Sequence, residues 1–103
     1  MKSLEDYLAG FRSVIAIDDL GGKSVRMVIG DIGSIYISGT EVTWDGTEKA
    51  DCVLTASHEN YDKMYHGKLD PVIAFGMGKL KMKGPMSVAL RMPSLFKKAG
   101  SLK

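Results

Sequence analysis

Residues 24–44 read SVRMVIGDIGSIYISGTEVTW, short runs of branched and aromatic residues (Val25 to Ile29, Ser34 to Ser38, Glu41 to Trp44) separated by Gly30, Gly33 and Gly39. A period of two puts Ile35 and Ile37 on one face with Tyr36 on the other, and Val42 and Trp44 together opposite Thr43. A fourth run, Cys52 to Thr55, follows Asp45-Gly46, a strong hairpin dipeptide. Connections this short predict an antiparallel meander. Its apolar face needs a cover.

The cover is legible on either side. Upstream, Leu4, Tyr7, Leu8, Phe11, Val14 and Ile15 form one stripe of an amphipathic helix, with Ser3 and Asp6 in capping-box spacing. Downstream, Ser57 caps a helix over about residues 58 to 66 that Gly67 stops, and Asp70-Pro71 opens a short second one over Pro71 to Phe75. KLKMK at 79–83 alternates as a half-buried strand whose lysines suit a sheet edge. Gly84-Pro85 opens a last helix, with Met86, Ala89 and Leu90 on one side, that Pro93 must end or kink. The sum is α+β, one two-layer domain over residues 1–103. Its mostly antiparallel five-stranded sheet is covered on one face by helices, and the fifth strand is free to lie parallel to a neighbour after its helical crossover.

Composition agrees. At 103 residues, 45% hydrophobic and 25% charged, with mean hydropathy near zero, the chain is an ordinary globular domain. No apolar stretch approaches the ~20 residues of a membrane span, and the amino end MKSLEDYL carries two acids where a signal peptide is basic. A single cysteine excludes an internal disulfide and suits a reducing compartment. The expected location is the cytoplasm. Charge is lopsided: residues 1–62 hold five Lys/Arg against eleven Asp/Glu, net −6, and residues 63–103 hold nine against only Asp70, net +8. Partners with anionic groups are therefore sought in the second half.

Several catalytic fragments fail. GGKS at 21–24 lacks the phosphate-loop glycine, since Ile17 stands there, and Gly76-x-Gly78 lacks the third dinucleotide glycine, since Lys81 stands there. His58 and His66 lack ligand spacing, so no metal site is expected. Cys52 reads as a small buried hydrophobe, and Asp18-Asp19 as turn acids. Basic residues with few interleaved aromatics argue against nucleic acid. No catalytic residue and no cofactor is expected. What the second half does offer is soft apolar side chains, Met64, Met77, Met82, Met86 and Met92, suited to apolar partners of varying shape.

KADC at 49–52, GKLDPVIAF at 67–75, GKLKMKG at 78–84, Met86 and Ala89 resemble in order and spacing the signature stretch of the sterol carrier protein type-two domain. The resemblance implies a small α+β domain with an apolar tunnel between sheet and helices. It also implies binding of sterols, fatty acids, fatty acyl-CoA and phospholipids without catalysis. On family position and facing, Phe11, Val14, Ile15, Trp44, Phe75, Met77, Met82, Met86 and Leu90 are expected to line or border the pocket. Lys79, Lys81, Lys83 and Arg91 are expected at headgroups or an anionic membrane surface. The ending SLK is not the peroxisomal SKL, so the expectation is a free-standing member. A homodimer is left open, and the alternative reading is an accessory or dimerisation module for a lipid-metabolising enzyme.

Overall fold

A computed structural model describes residues 2–16, 19–44 and 49–100. Helix α1 spans Leu4–Val14, and strands β1 (Ser24–Ile29), β2 (Gly33–Ser38), β3 (Glu41–Trp44) and β4 (Cys52–Ala56) follow. Helices α2 (His58–Tyr65) and α3 (Pro71–Gly76), strand β5 (Leu80–Lys83), and helices α4 (Met86–Ala89) and α5 (Met92–Gly100) complete the chain.

The helix starts are chemical. Ser3 Oγ accepts the Asp6 N–H at 3.2 Å while the Asp6 carboxylate accepts the Ser3 N–H at 3.0 Å, the reciprocal box predicted for α1. Ser57 Oγ accepts from Asn60 N–H at 3.1 Å, and Asp70 Oδ1 from Val72 N–H at 2.7 Å with Pro71 next in the first turn. Pro93 divides the last helix: α4 is a single turn, and Pro93 takes a place in the first turn of α5, where no N–H is needed.

The five strands run in the order β3-β2-β1-β4-β5. This corrects the expected meander. β4 does not pair with β3; it lies parallel to β1, with Val25 opposite Cys52 and Ile29 opposite Ala56. β5 is antiparallel to β4, so the parallel step falls at the sheet's centre and not at β5. The cause is visible at the start of the ladder. Ser24 N–H donates to Asp51 Oδ2 at 2.8 Å, and Asp51 N–H donates to Ser24 Oγ at 3.0 Å, so the two strands leave one clasp in the same direction. Asp45-Gly46, like Asp18, lies outside the described residues.

Register puts one apolar face together in rows. Val42, Ile37, Val25 and Cys52 form one; Trp44, Ile35, Met27, Leu54 and Met82 cross all five strands in the next. Helix α1 lies over β2 and β3, α3 packs on β5, and α5 touches α1, α2, α3 and α4. Among the described residues, one cluster of buried apolar side chains sits between the layers.

Candidate functional site

Beneath α1, α2 and α5 the interior is closed by rings. Tyr7 meets Tyr61 and Tyr65 edge-to-face with centroids 4.8 and 4.9 Å apart, Phe11 meets Tyr65 and Phe96 at 5.7 Å each, and Tyr61 meets Phe96 at 5.4 Å. The polar tips are satisfied. Tyr7 Oη donates to Asp62 Oδ1 at 2.6 Å and Tyr61 Oη to the Met27 sulfur at 3.3 Å. Burial, then the Asp62 carboxylate, pushes the Tyr7 phenol far up, so it stays a donor. Burial alone would raise Asp62, but the Tyr7 hydroxyl, the Lys2 N–H and His66 together hold it below the usual carboxylate range.

Under α3 and α4 the arrangement differs. An apolar pocket lies between the β4–β5 end of the sheet, from which Leu54, Leu80 and Met82 face it, and α3, which supplies Pro71, Val72 and Phe75. Met86, Ala89 and Leu90 of α4 and its end, with Met92 of α5, close the far wall. The space open to water centres is about 30 Å³, room for about two waters. Ligand pockets run to about 300–1,000 Å³, so the walls are nearly in contact here. A larger, solvent-open groove of about 430 Å³ by the same measure runs between residues 64–71 and α5, with His66, Asp70 and Lys97 among its lining. Pro71 borders both spaces.

Helix α3 is built the opposite way from an ordinary surface helix. Its inward residues are Pro71 and Ala74, while Val72, Ile73 and Phe75 are exposed. Met77 just beyond it, and Met86 and Leu90 opposite, are exposed too. Helix α2 keeps the usual order, burying Tyr61, Met64 and Tyr65.

The structure divides the residues expected at one pocket. Phe75, Met82, Met86 and Leu90 meet there. Phe11 is fully buried in the aromatic cluster, and Val14 and Ile15 pack partly buried against the core at the end of α1. Trp44, 53% exposed, shares its row with Met82 but at the opposite sheet edge, four inter-strand spacings or about 19 Å away. Met77 points to solvent beyond α3 without lining the pocket. Lys79 is exposed between α3 and β5; Lys81 and Lys83 pair with Thr55 and Val53 and alternate with Leu80 and Met82, which puts them on the sheet's other face. Arg91 reaches back to donate to the Asp19 carbonyl at 3.5 Å. Leu54, Pro71, Val72, Leu80, Ala89 and Met92 also line the pocket, though none was among the residues expected to border it. Leu80 was readable from the KLKMK alternation, whereas Leu54 depends on the β4–β5 register.

Cys52 is buried, and burial followed by the Asp51 charge raises its thiol, the reverse of an activated nucleophile. His58 Nε2 lies 2.8 Å from the Lys2 carbonyl and His66 Nδ1 2.8 Å from that of Asp62. Among the described residues no group of three or more His, Cys, Asp or Glu could hold a metal, and no helix is long and apolar enough to cross a membrane.

The model of the SCP-2 sterol transfer family matches residues 12–97. The chain belongs to that family. As an SCP-2 domain it is 38% identical over 95 residues to human hydroxysteroid dehydrogenase-like protein 2, covering 91% of this chain but 22% of that protein, so it spans about a fifth of this relative. The fold superposes on apo sterol carrier protein 2 of Yarrowia lipolytica with a TM-score of 0.68 at 18% identity, covering 95% of this chain and 79% of the other. On palmitated SCP2L2 of Aedes aegypti the TM-score is 0.73 at 12% identity, covering 92% and 95%.

Proposed function

We propose that this SCP-2 domain binds one lipid chain, a fatty acid, fatty acyl-CoA, phospholipid or sterol-like molecule, in the pocket between β4–β5, α3 and α4, and carries it without chemical change. The observation that carries this reading is the uniform lining: every one of the bordering residues is apolar and three are methionine, flexible side chains that repack around varied shapes. Two waters' worth of space does not hold a lipid, so uptake moves α3 and α4 outward. Pro71 borders both the pocket and the wider groove, so a shift of α3 joins them into a longer, mostly apolar tunnel. The palmitate named in the Aedes relative is consistent with a single-chain ligand.

The test is organic extraction of purified protein followed by mass spectrometry of what is released, with titration of a fluorescent fatty acid beside it. Stoichiometric lipid or saturable uptake supports the reading; a clean extract together with no uptake refutes it. The exposed apolar side chains on α3 and α4 favour a second reading, an accessory or dimerisation module. A tight dimer in light scattering with no lipid uptake would support that one.

A further inference from the structure

We propose that the face formed by α3 and α4 is a docking surface for an anionic phospholipid bilayer. Seven large apolar side chains are exposed among the described residues, and six of them, Val72, Ile73, Phe75, Met77, Met86 and Leu90, lie on α3 and α4 or one residue past their ends. Scattered singly, exposed apolar residues mean nothing; gathered this way they mark a contact surface.

Charge selects the occupant. Lys68, Lys79, Lys81 and Lys83 belong to the same stretch of chain, and its one acid, Asp70, has its carboxylate engaged by the N–H groups of Val72 and Ile73. Lys79 is exposed beside this face, between α3 and β5, so two copies meeting through it would bring like charges together, and a second copy fits less well than an anionic surface. An anionic bilayer suits both features at once: apolar tips enter the acyl boundary while lysines reach the phosphates. Lys81 and Lys83, though on the other sheet face, belong to the edge strand, and attraction acts over a Debye length of about 8–10 Å.

Continuity with the pocket strengthens the assignment, and here the inference rests on the lipid-binding reading. Val72, Phe75, Met86 and Leu90 belong both to the exposed face and to the pocket wall. Docking therefore sets the pocket mouth against the bilayer, and side chains that leave the wall for the membrane open it.

The experiment is co-sedimentation with vesicles of phosphatidylcholine, alone and mixed with phosphatidylglycerol, using the whole chain. Binding is expected on the mixed vesicles and to weaken with salt. Ile73→Glu combined with Met77→Glu should weaken it at least about tenfold, and Lys79→Gln about fivefold. Neither Ile73 nor Met77 lines the pocket, so fatty-acid uptake without vesicles should persist in the double variant and show that it is folded. Unchanged binding in the double variant overturns the proposal, as does equal binding to phosphatidylcholine alone or a dimer that the double variant dissociates. Fatty-acid uptake without vesicle binding refutes the docking surface alone. Vesicle binding that the double variant loses, with no fatty-acid uptake by the unaltered protein, refutes the ligand reading and leaves the surface standing.

Discussion

Under α1, α2 and α5, interlocked aromatic rings fill the space to the sheet, whereas under α3 and α4 flexible side chains nearly touch across a seam and their large neighbours face water. The same sheet supports both. Rigid rings in edge-to-face contact leave one arrangement available, so that side stores stability; methionines and leucines leave several, which is what the proposed lipid uptake requires of the other side.

The contrast breaks first at Phe11. Phe11→Ala removes a fully buried ring and should cost about 3–5 kcal/mol, read as a lower urea midpoint, while leaving lipid affinity unchanged in any molecule still folded. A loss of lipid binding beyond that due to unfolding would mean that the two sides are one site. Next comes the guest itself. At a hundredfold excess over its dissociation constant a fatty acid should add about 2.7 kcal/mol, a rise in Tm of about 10 °C for a domain this size. No shift would mean that the seam does not open.

Asp62 sharpens the picture of the closed side. Asp62→Asn weakens the bonds from Tyr7 and Lys2 and should cost about 1–2 kcal/mol at neutral pH. Since the carboxyl is held below its ordinary value, its contribution is present above about pH 4 and is lost as pH falls through the folded value. Acid unfolding of the variant should therefore be shallower, with part of the slope remaining because Asp19, bonded to Lys98, is lowered as well. The smallest effect belongs to the open side: Ile73→Ser, at a residue 58% exposed, should change stability by less than about 0.5 kcal/mol.

Element order, caps and the break at Pro93 were legible because each is decided within a few residues. Strand order was not. Asp45-Gly46 is a persuasive local turn signal, but β4 takes its neighbour from the Ser24–Asp51 clasp, 27 residues apart in the chain, and no local pattern announces such a pair. The site was legible in the same measure. Phe75, Met82, Met86 and Leu90, expected on family position and facing, border one pocket, whereas Trp44, expected on the same grounds, lies at the far sheet edge. Facing says which side of the sheet a residue takes and nothing about which edge. The inverted α3 was hidden too: PVIAF is apolar throughout, and only packing decides that Ala74 turns inward while the larger residues do not.

Holding six large apolar side chains in water creates a colloidal hazard, since such patches adhere to one another. The lysines around them act as gatekeepers, repelling the like face of another copy. At 1 M salt the screening length falls to about 3 Å, and this repulsion is the first thing lost. Purified protein should then self-associate increasingly as salt rises, unless a bound lipid intervenes. If the docking proposal holds, the charge on this segment has a second consequence: it opposes adhesion between copies.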